Sequence, residues 1–228
     1  MNAIDLSAVE KEIRQTAKEM GASHFGIANM EGAYRVRPES FEESGKLLTG
    51  ISIAVSKDDW LIDGLPLTDN QYRTDHYLVK IALALRIGDA ICAKLTGAGY
   101  RAHRLSHPPK IKPTGLYKLI GHWAGVGWIG KNHLLITSRG PRVALAAVLT
   151  DAPLTPSCEK PPARLCYGCT RCIDICPGKA FKDEPLVETD PLRSFDISKC
   201  AQVRGTINPT GWGGCGLCVK VCPFGIPD

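Results

Sequence analysis

The stretch CYGCTRCIDICP, Cys166–Pro177, carries four cysteines that are separated by two, two and three residues and closed by a proline. A partial copy follows it. The segments CTRCIDICPGKA (169–180) and CGLCVKVCPFGI (215–226) share Cys-x-x-Cys, then a hydrophobic residue on each side of a charged one, then Cys-Pro. An internal repeat of this kind indicates pseudo-twofold symmetry, so we expect a small domain with two related sites.

The spacing of these cysteines favours iron–sulfur clusters. In bacterial two-cluster ferredoxins, three cysteines of one run bind one [4Fe–4S] cluster and the fourth binds the other. That rule leaves the second cluster one ligand short here, because Trp212 stands where the repeat requires a cysteine. Cys200, fifteen residues before Cys215, is the natural substitute. The predicted ligands are Cys166, Cys169, Cys172 and Cys222 for cluster I, and Cys176, Cys200, Cys215 and Cys218 for cluster II.

Zinc is the competing interpretation, since paired Cys-x-x-Cys units also form zinc ribbons. Three cysteines within seven residues and a fourth before proline suit a cubane cluster better than a tetrahedral ion. The two remaining cysteines have other predicted roles. Cys92 is expected to be a buried thiol on a helix, and Cys158 a spare thiol in a linker.

The composition is that of a globular protein in a reducing environment. The chain has 228 residues, of which 44% are hydrophobic and 22% are charged. The chain has ten cysteines, and its N-terminus lacks the basic region followed by an apolar region that is typical of a secretory signal. This combination argues against a disulfide framework and predicts a cytoplasmic location. The most apolar long stretch, 77–95, contains four charged residues, so no membrane association is expected.

Periodicity predicts an α+β protein with two domains. Helices are expected at 5–20, about 75–95 and 116–124, and strands at 24–29, 50–56, near 100–105, and in the runs HLLIT and RVALAAVLT. A proline-rich linker then separates an α/β domain, residues 1–155, from a cysteine-rich domain, residues 156–228.

One segment of the first domain is uniformly basic. Residues 90–150 contain nine lysines and arginines and no acidic residue. Such a segment can attract anions. The alternative is that acidic residues from elsewhere in the chain balance it in the folded protein.

Residues 122–154, HWAGVGWIGKNHLLITSRGPRVALAAVLTDAPL, followed by the cysteine-rich tail, resemble the epoxyqueuosine reductases, which share a core with corrinoid-dependent reductive dehalogenases. The motif that carries the resemblance is AGVGWIGKN, Ala124–Asn132, with the Leu-Thr-Asp of residues 149–151 and the eight cysteines behind it. In the first hundred residues only Tyr72 and the Asp-His-Tyr of residues 75–77 are reminiscent of the family.

The resemblance implies a flavin-reductase-like N-terminal domain that binds cobalamin in base-off form beside a ferredoxin-like domain. One cluster would lie near the corrin and the other near the surface, where an external low-potential donor would reduce it. Glycines allow the backbone to approach a flat ligand closely, and an indole ring can pack against that ligand. Lysine or asparagine can form hydrogen bonds with its amide or phosphate groups. A purely structural turn is the alternative. The candidate cofactor-binding residues are Gly125, Gly127, Trp128, Gly130, Lys131 and Asn132.

The chain departs from the family in its proton donor. The family carries a catalytic aspartate shortly before the helix that we predict at 116–124. The present sequence reads Arg-Leu-Ser-His-Pro-Pro (104–109) there and has no carboxylate. Histidine delivers protons near neutral pH, and His107 is nearest to the missing position. His107 is therefore the candidate catalytic residue, with His103, His122 and Tyr117 as alternatives.

The second departure concerns the substrate. The sequence stops at Asp228, so we expect no helical-repeat domain of the kind that grips tRNA, and tRNA is a doubtful substrate. Two functions are compatible with these residues. The first is a corrinoid-dependent reductase of a small or nucleoside-like substrate; the second is an electron carrier that reduces a corrinoid or flavin, which a partner protein can hold. A ferredoxin fusion whose first domain binds flavin or nothing is a weaker third.

Overall fold

The computed structural model describes residues 5–64, 70–105, 115–182, 184, 194–207 and 215–225. His107 and Trp212 lie outside the described residues, as do the side chains of residues 71–77. Within the described part, the elements in chain order are α1 Leu6–Glu19, β1 His24–Asn29, α2 Glu31–Val36, a 3₁₀ helix Pro38–Ser44, β2 Thr49–Ser56, α3 Asp59–Asp63, α4 Asn70–Gly97, β3 Ala102–Arg104, α5 Leu116–Trp123, β4 Trp128–Ile129, β5 Leu135–Ile136, β6 Val143–Thr150, α6 Arg171–Asp174, α7 Ile197–Ile207 and α8 Leu217–Lys220.

Four of the strands form one antiparallel sheet in the order β1-β2-β6-β3. Strand β2 is central, and Ile53 faces Phe25 of β1 on one side and Ala146 of β6 on the other. Alternate residues of β2 point to opposite faces of the sheet. The face that carries Ile51 and Ile53 is apolar and fully buried. The mixed α/β architecture expected from periodicity is confirmed.

Helices α1 and α4 cover that face. Helix α1 begins where the Asp5 carboxylate accepts hydrogen bonds from the backbone N–H groups of Ser7 and Ala8, a common N-cap arrangement. Ile13 of α1 and Ile87 of α4 pack with the isoleucines of β2 in a single buried core. The predicted long helix is seven residues longer than its expected bounds, and none of the described helices is long and apolar enough to cross a bilayer.

Helix α5 covers the opposite face at close range. A Cβ on Gly50 of β2 would lie 2.9 Å from Cγ2 of Ile120, and a Cβ on Gly121 would lie 2.5 Å from Cδ2 of Leu135. The glycines therefore let this helix sit against both the main sheet and the small β4–β5 hairpin. The first strand of that hairpin lies in the AGVGWIGKN motif, and its Trp128 pairs with Ile136 of β5, which follows the motif.

The linker after the sheet is attached to its edge. Ser157 donates its backbone N–H to the carbonyl oxygen of Ile27, and its hydroxyl accepts the Ile27 N–H. Because β1 is an edge strand, these two bonds occupy backbone groups that would otherwise face solvent. The start of the cysteine-rich segment is thus fixed relative to the sheet.

The uniformly basic segment is balanced by distant acids, as the second interpretation predicted. Among the seven cationic residues of the segment that the structure describes, five form ion pairs with carboxylates outside it. The pairs are Lys94–Glu12, Arg101–Asp151, Arg104–Asp89, Arg139–Asp59 and Arg142 with both Asp59 and Asp63.

Candidate iron–sulfur centre

Four thiols of the predicted cluster I lie around one cavity. Cys166 and Cys169 belong to the loop before α6, Cys172 to α6, and Cys222 to the turn after α8, and all four line the cavity. Burial and then the neighbouring Cys166, Cys222 and Cys169 thiolates raise the pKa of Cys172 to about 11. Ile136 and Phe224 complete the wall on the side of the sheet.

The thiols predicted for cluster II are grouped around Cys218 of α8. Burial raises the pKa of Cys218, and the nearby Cys215, Cys200, Cys172 and Cys176 thiolates raise it further. The inclusion of Cys172 shows that the two groups are neighbours. The structure therefore brings together the same residues that the repeat and the isolated Cys200 suggested, although their role as ligands is a proposal.

This donor set suits an anionic cluster better than an isolated ion. Crowded, buried thiols stay protonated by themselves, and a bound metal core replaces their protons with iron. The four cluster I thiols line one cavity, an arrangement compatible with thiolates at the separate corners of a cubane.

The cysteine segment packs on one end of the sheet. Val219 of α8 contacts Ile62 of α3 and lies with Leu134 and Cys218 in a small apolar cluster. Phe224 meets Trp128 edge to face, with 4.9 Å between ring centroids. Helix α3 and the β4–β5 hairpin thus position the two cysteine groups.

The residues of the AGVGWIGKN motif have protein partners in this packing. A Cβ on Gly127 would lie 2.2 Å from the carbonyl oxygen of Ile136, and a Cβ on Gly130 would lie 2.8 Å from Oδ1 of Asn132. Gly125 has φ +74°, and a Cβ there would lie 3.0 Å from Sγ of Cys158. The structural-turn interpretation therefore explains these three glycines without a ligand.

Asn132 links the hairpin to the cysteine segment. Its side chain is buried, its amide Nδ2 donates to the carbonyl oxygen of Cys218 at 3.3 Å, and its Oδ1 accepts the Leu134 N–H at 3.1 Å. Lys131 lines the cluster I cavity with Arg171. Contact of either residue with a corrin stays a prediction.

We expect Asn132→Ala to lower the free energy of unfolding by about 2 kcal/mol, because it removes a buried side chain and leaves the part-buried Cys218 carbonyl and Leu134 N–H without their partner. Thermal denaturation of the loaded protein measures the change, with the iron–sulfur absorption followed in the same scan. An unchanged midpoint would show that the Asn132 bridge does not hold Cys218 in place.

Two lysines near cluster II were missed as site residues. Lys57 follows β2 directly and is 7% exposed. Burial lowers its pKa to about 8, and the Cys218 thiolate partly offsets that effect. Burial also lowers the pKa of Lys118, at the start of α5, to about 8, partly offset by Cys218 and Cys200. A lysine directly after a buried strand was the only sequence signal for Lys57.

The histidines divide by their surroundings. His122 is buried, and its Nδ1 lies 3.1 Å from the carbonyl oxygen of Gly127, which fixes the ring against the AGVGWIGKN hairpin. That contact gives His122 a structural role. His103 lies on β3, opposite Leu149. The preferred candidate, His107, lies outside the described residues.

Comparisons with known proteins agree with this site. Residues 165–225 match the family described as the 4Fe-4S double cluster binding domain. The epoxyqueuosine reductase of Atelocyanobacterium thalassa is 39% identical over 115 residues, which cover 45% of this chain and 36% of that protein. The chain spans about a third of the length of the curated relatives it matches. The resemblance inferred from the motif and the cysteines is confirmed.

Two solved structures extend the likeness to nearly the whole chain. A catabolic reductive dehalogenase in complex with 3-bromo-4-hydroxybenzoic acid has a TM-score of 0.72 at 19% identity, over 95% of this chain and 32% of that one. An epoxyqueuosine reductase with an epoxyqueuosine-modified tRNA stem loop has a TM-score of 0.62 at 18% identity, over 97% and 66%. At these identities the likeness shows the fold alone.

Proposed function

We propose that this epoxyqueuosine-reductase-like protein passes electrons through two [4Fe–4S] clusters to a corrinoid. The match of residues 165–225 to the 4Fe-4S double cluster binding domain is the starting point of this proposal. The corrinoid would be held by the first domain, residues 1–155, which we infer to be of the flavin-reductase-like type. The observation that carries the proposal is the grouping of eight cysteines into two adjacent sets against one end of the sheet.

In this proposal cluster I receives electrons and cluster II delivers them inward. The cluster I loop is exposed at Tyr167 and Gly168, whereas Cys218 of cluster II is half-buried and lies near Lys57 and Lys118 of the first domain. A nearby cation stabilises the more negative, reduced form of a cluster, while apolar surroundings such as Val219 penalise it. The two lysines therefore favour electron arrival at cluster II.

The donors near cluster II fit a corrinoid in their chemistry. Lysine ammonium groups can donate to the amide and phosphate oxygens at the edge of such a ligand, and Lys57 and Lys118 of the first domain lie close enough to Cys218 to interact with its thiolate. A bound cobalamin would supply a cobalt centre able to reduce carbon–oxygen or carbon–halogen bonds. The chain itself would orient the ring, exclude water and, through His107, deliver a proton.

The substrate class follows from the same residues. A solved relative is in complex with a tRNA stem loop, but among the described basic residues of segment 90–150 in this chain, five are already paired with carboxylates. Pairing weakens the attraction to phosphates on which nucleic-acid binding depends. We therefore propose a small or nucleoside-like substrate and treat tRNA as the arm of the test that would overturn this choice.

Addition of cob(II)alamin to anaerobically purified, cluster-loaded protein tests the proposal. We expect the visible spectrum of the corrinoid to change to the base-off form, with about one cobalamin retained per chain after gel filtration. Free cobalamin in the same buffer is the control.

The second candidate function predicts a different result. A carrier that only reduces a corrinoid or flavin on a partner protein would leave the cobalamin spectrum unchanged, yet would still transfer electrons to an added corrinoid protein. The departure of the chain from the family at His107 favours this candidate. A tRNA stem loop can be added to the protein in a second gel-filtration run. Its elution together with the protein would instead support a nucleic-acid substrate.

A further inference from the structure

We propose that the surface around cluster I docks an acidic, one-electron carrier protein. This docking face comprises the exposed apolar side chains of Leu165, Tyr167 and Ile175, the exposed basic side chains of Arg171 and Lys179, and the half-buried Arg164. All six lie in segment 164–179, which carries three predicted ligands of cluster I and, at Cys176, one predicted ligand of cluster II. The proposal rests on the proposed function, because it assumes that cluster I is the entry point for electrons.

The apolar part of the docking face is unusually exposed. Tyr167 is 78% exposed, Ile175 is 41% exposed and Leu165 is 39% exposed, and the three lie within eleven residues of one another in the chain. Exposed apolar groups that cluster beside a polar rim mark interaction sites more often than isolated ones do. Tyrosine is also enriched at protein interfaces, because its ring is apolar and its hydroxyl tolerates water.

Tyr167 is held outward by the cluster loop itself. It has φ +36°, which is uncommon for a residue with a side chain, and it lies between Cys166 and Cys169 in a turn closed by the bond from the Cys169 N–H to the Cys166 carbonyl oxygen, 2.8 Å. Backbone strain of this kind is concentrated at functional sites. The turn thus carries an exposed aromatic ring between two candidate ligands of cluster I in the chain.

The rim of the docking face is positively charged. Arg164, Arg171 and Lys179 are the cationic residues of segment 164–179, and Asp174 is its one acid. Among the described residues, the three cations form no ion pair, while Asp174 already accepts a hydrogen bond from the Thr170 hydroxyl at 2.8 Å. Unpaired cations around an apolar centre attract a partner with carboxylates around its own redox group.

A small docking face is appropriate for this purpose. Complexes between electron carriers are weak and transient, bury less surface than stable complexes, and rely on charge to steer the encounter. Because Arg171 also lines the cavity of cluster I, a carrier bound over the rim would bring its redox group close to that cluster. The partner that we propose is thus a small electron carrier with an acidic surface around its redox group, as in an acidic flavodoxin or a plant-type ferredoxin.

Stopped-flow reduction of the loaded protein by a reduced acidic flavodoxin, used as the probe, tests the docking face. We expect the double variant Arg164→Glu and Lys179→Glu to lower the second-order rate constant at least tenfold at low ionic strength, because the rim changes sign. The difference should shrink as salt is added, since salt screens exposed charges. Tyr167→Ala should lower the rate several-fold at every salt concentration.

The double variant Arg35→Glu and Lys46→Glu is the matched control. It makes the same change in net charge on exposed residues of the first domain, and Lys46 shares with Lys179 a positive φ. We expect it to react like the unmodified protein. Iron content and the rate of reduction by dithionite, a small reductant that needs no docking, should be unchanged in all variants.

Two outcomes separate failure of the docking face from failure of the proposed function. Variants that load iron normally and accept electrons from flavodoxin as fast as the unmodified protein at low salt overturn the docking face alone. Unmodified protein that contains zinc, or no cluster that dithionite reduces, overturns the proposed function as well.

Discussion

Replacing Cys200 with serine is expected to lower the iron content of anaerobically purified protein from about eight to about four atoms per chain. Cys200 lies on α7, away from both Cys-x-x-Cys runs, and the Asp196 carboxylate accepts the backbone N–H groups of Ser198 and Lys199 where that helix begins. The Cys200 thiolate lies near Cys218 and, like the Cys215 thiolate, raises the pKa of Cys218. Loss of this one ligand removes a corner of cluster II, while the four thiols of cluster I remain.

Iron and acid-labile sulfide assays, with electron paramagnetic resonance of the reduced protein, measure this result. One of two interacting cluster signals should disappear and the other should lose its spin coupling. Cys92→Ser is the matched control, because Cys92 lies on α4 and packs with the core of the sheet face. Retention of about eight irons by Cys200→Ser would show that the fourth ligand of cluster II is another group.

The cysteine sites could be foreseen because their pattern is local. Cys166, Cys169 and Cys172 are separated from one another by two residues, so a short loop and one helical turn bring their thiols together whatever the rest of the fold is. Cys200 was found by elimination, since the repeat demanded one more ligand. Strand β2 of the main sheet could also be predicted, because Ile51, Ile53 and Val55 occupy alternate positions, which is the pattern of a β-strand.

The role of the AGVGWIGKN motif could not be read from its own residues. Glycines at 127 and 130 are equally suited to a flat ligand and to a close backbone, and the choice depends on Ile136 and on the cysteine segment. Likewise, the basic run gave no sign of which acid would meet Arg142, whose partners Asp59 and Asp63 are some eighty residues away. Contacts between distant parts of the chain decide these points.

The same distant contacts make Gly140 the described glycine at which an added Cβ would meet the shortest contact. It occupies the turn after β5, has φ +59°, and a Cβ there would lie 1.8 Å from the carbonyl oxygen of Phe224. The turn cannot easily yield, because Gly140 exchanges backbone hydrogen bonds of 2.8 and 3.0 Å with Thr137. Phe224 follows Cys222 by two residues, so this contact seats a candidate ligand of cluster I against the first domain.

Gly140→Ala is therefore expected to destabilise the loaded protein by about 3 kcal/mol, from the left-handed backbone and from the overpacked contact together. For a chain of this size that corresponds to a fall of about 10 °C in the apparent Tm at a fixed scan rate. We also expect cluster I to be lost preferentially, because Phe224 must move and Cys222 moves with it. Thermal scans and iron assays on the same anaerobic sample measure both effects.

Gly32→Ala supplies the matched control for this substitution. Gly32 lies inside α2, and a Cβ there would meet no atom within 4 Å. Alanine is favoured over glycine in a helix by about 0.5–1 kcal/mol, so this variant should keep its iron and melt at the same or a slightly higher temperature. If Gly140→Ala behaved like Gly32→Ala, the turn after β5 could not be what holds the Cys222 segment in place, and the two parts of the chain would be joined through α3 and α8 instead.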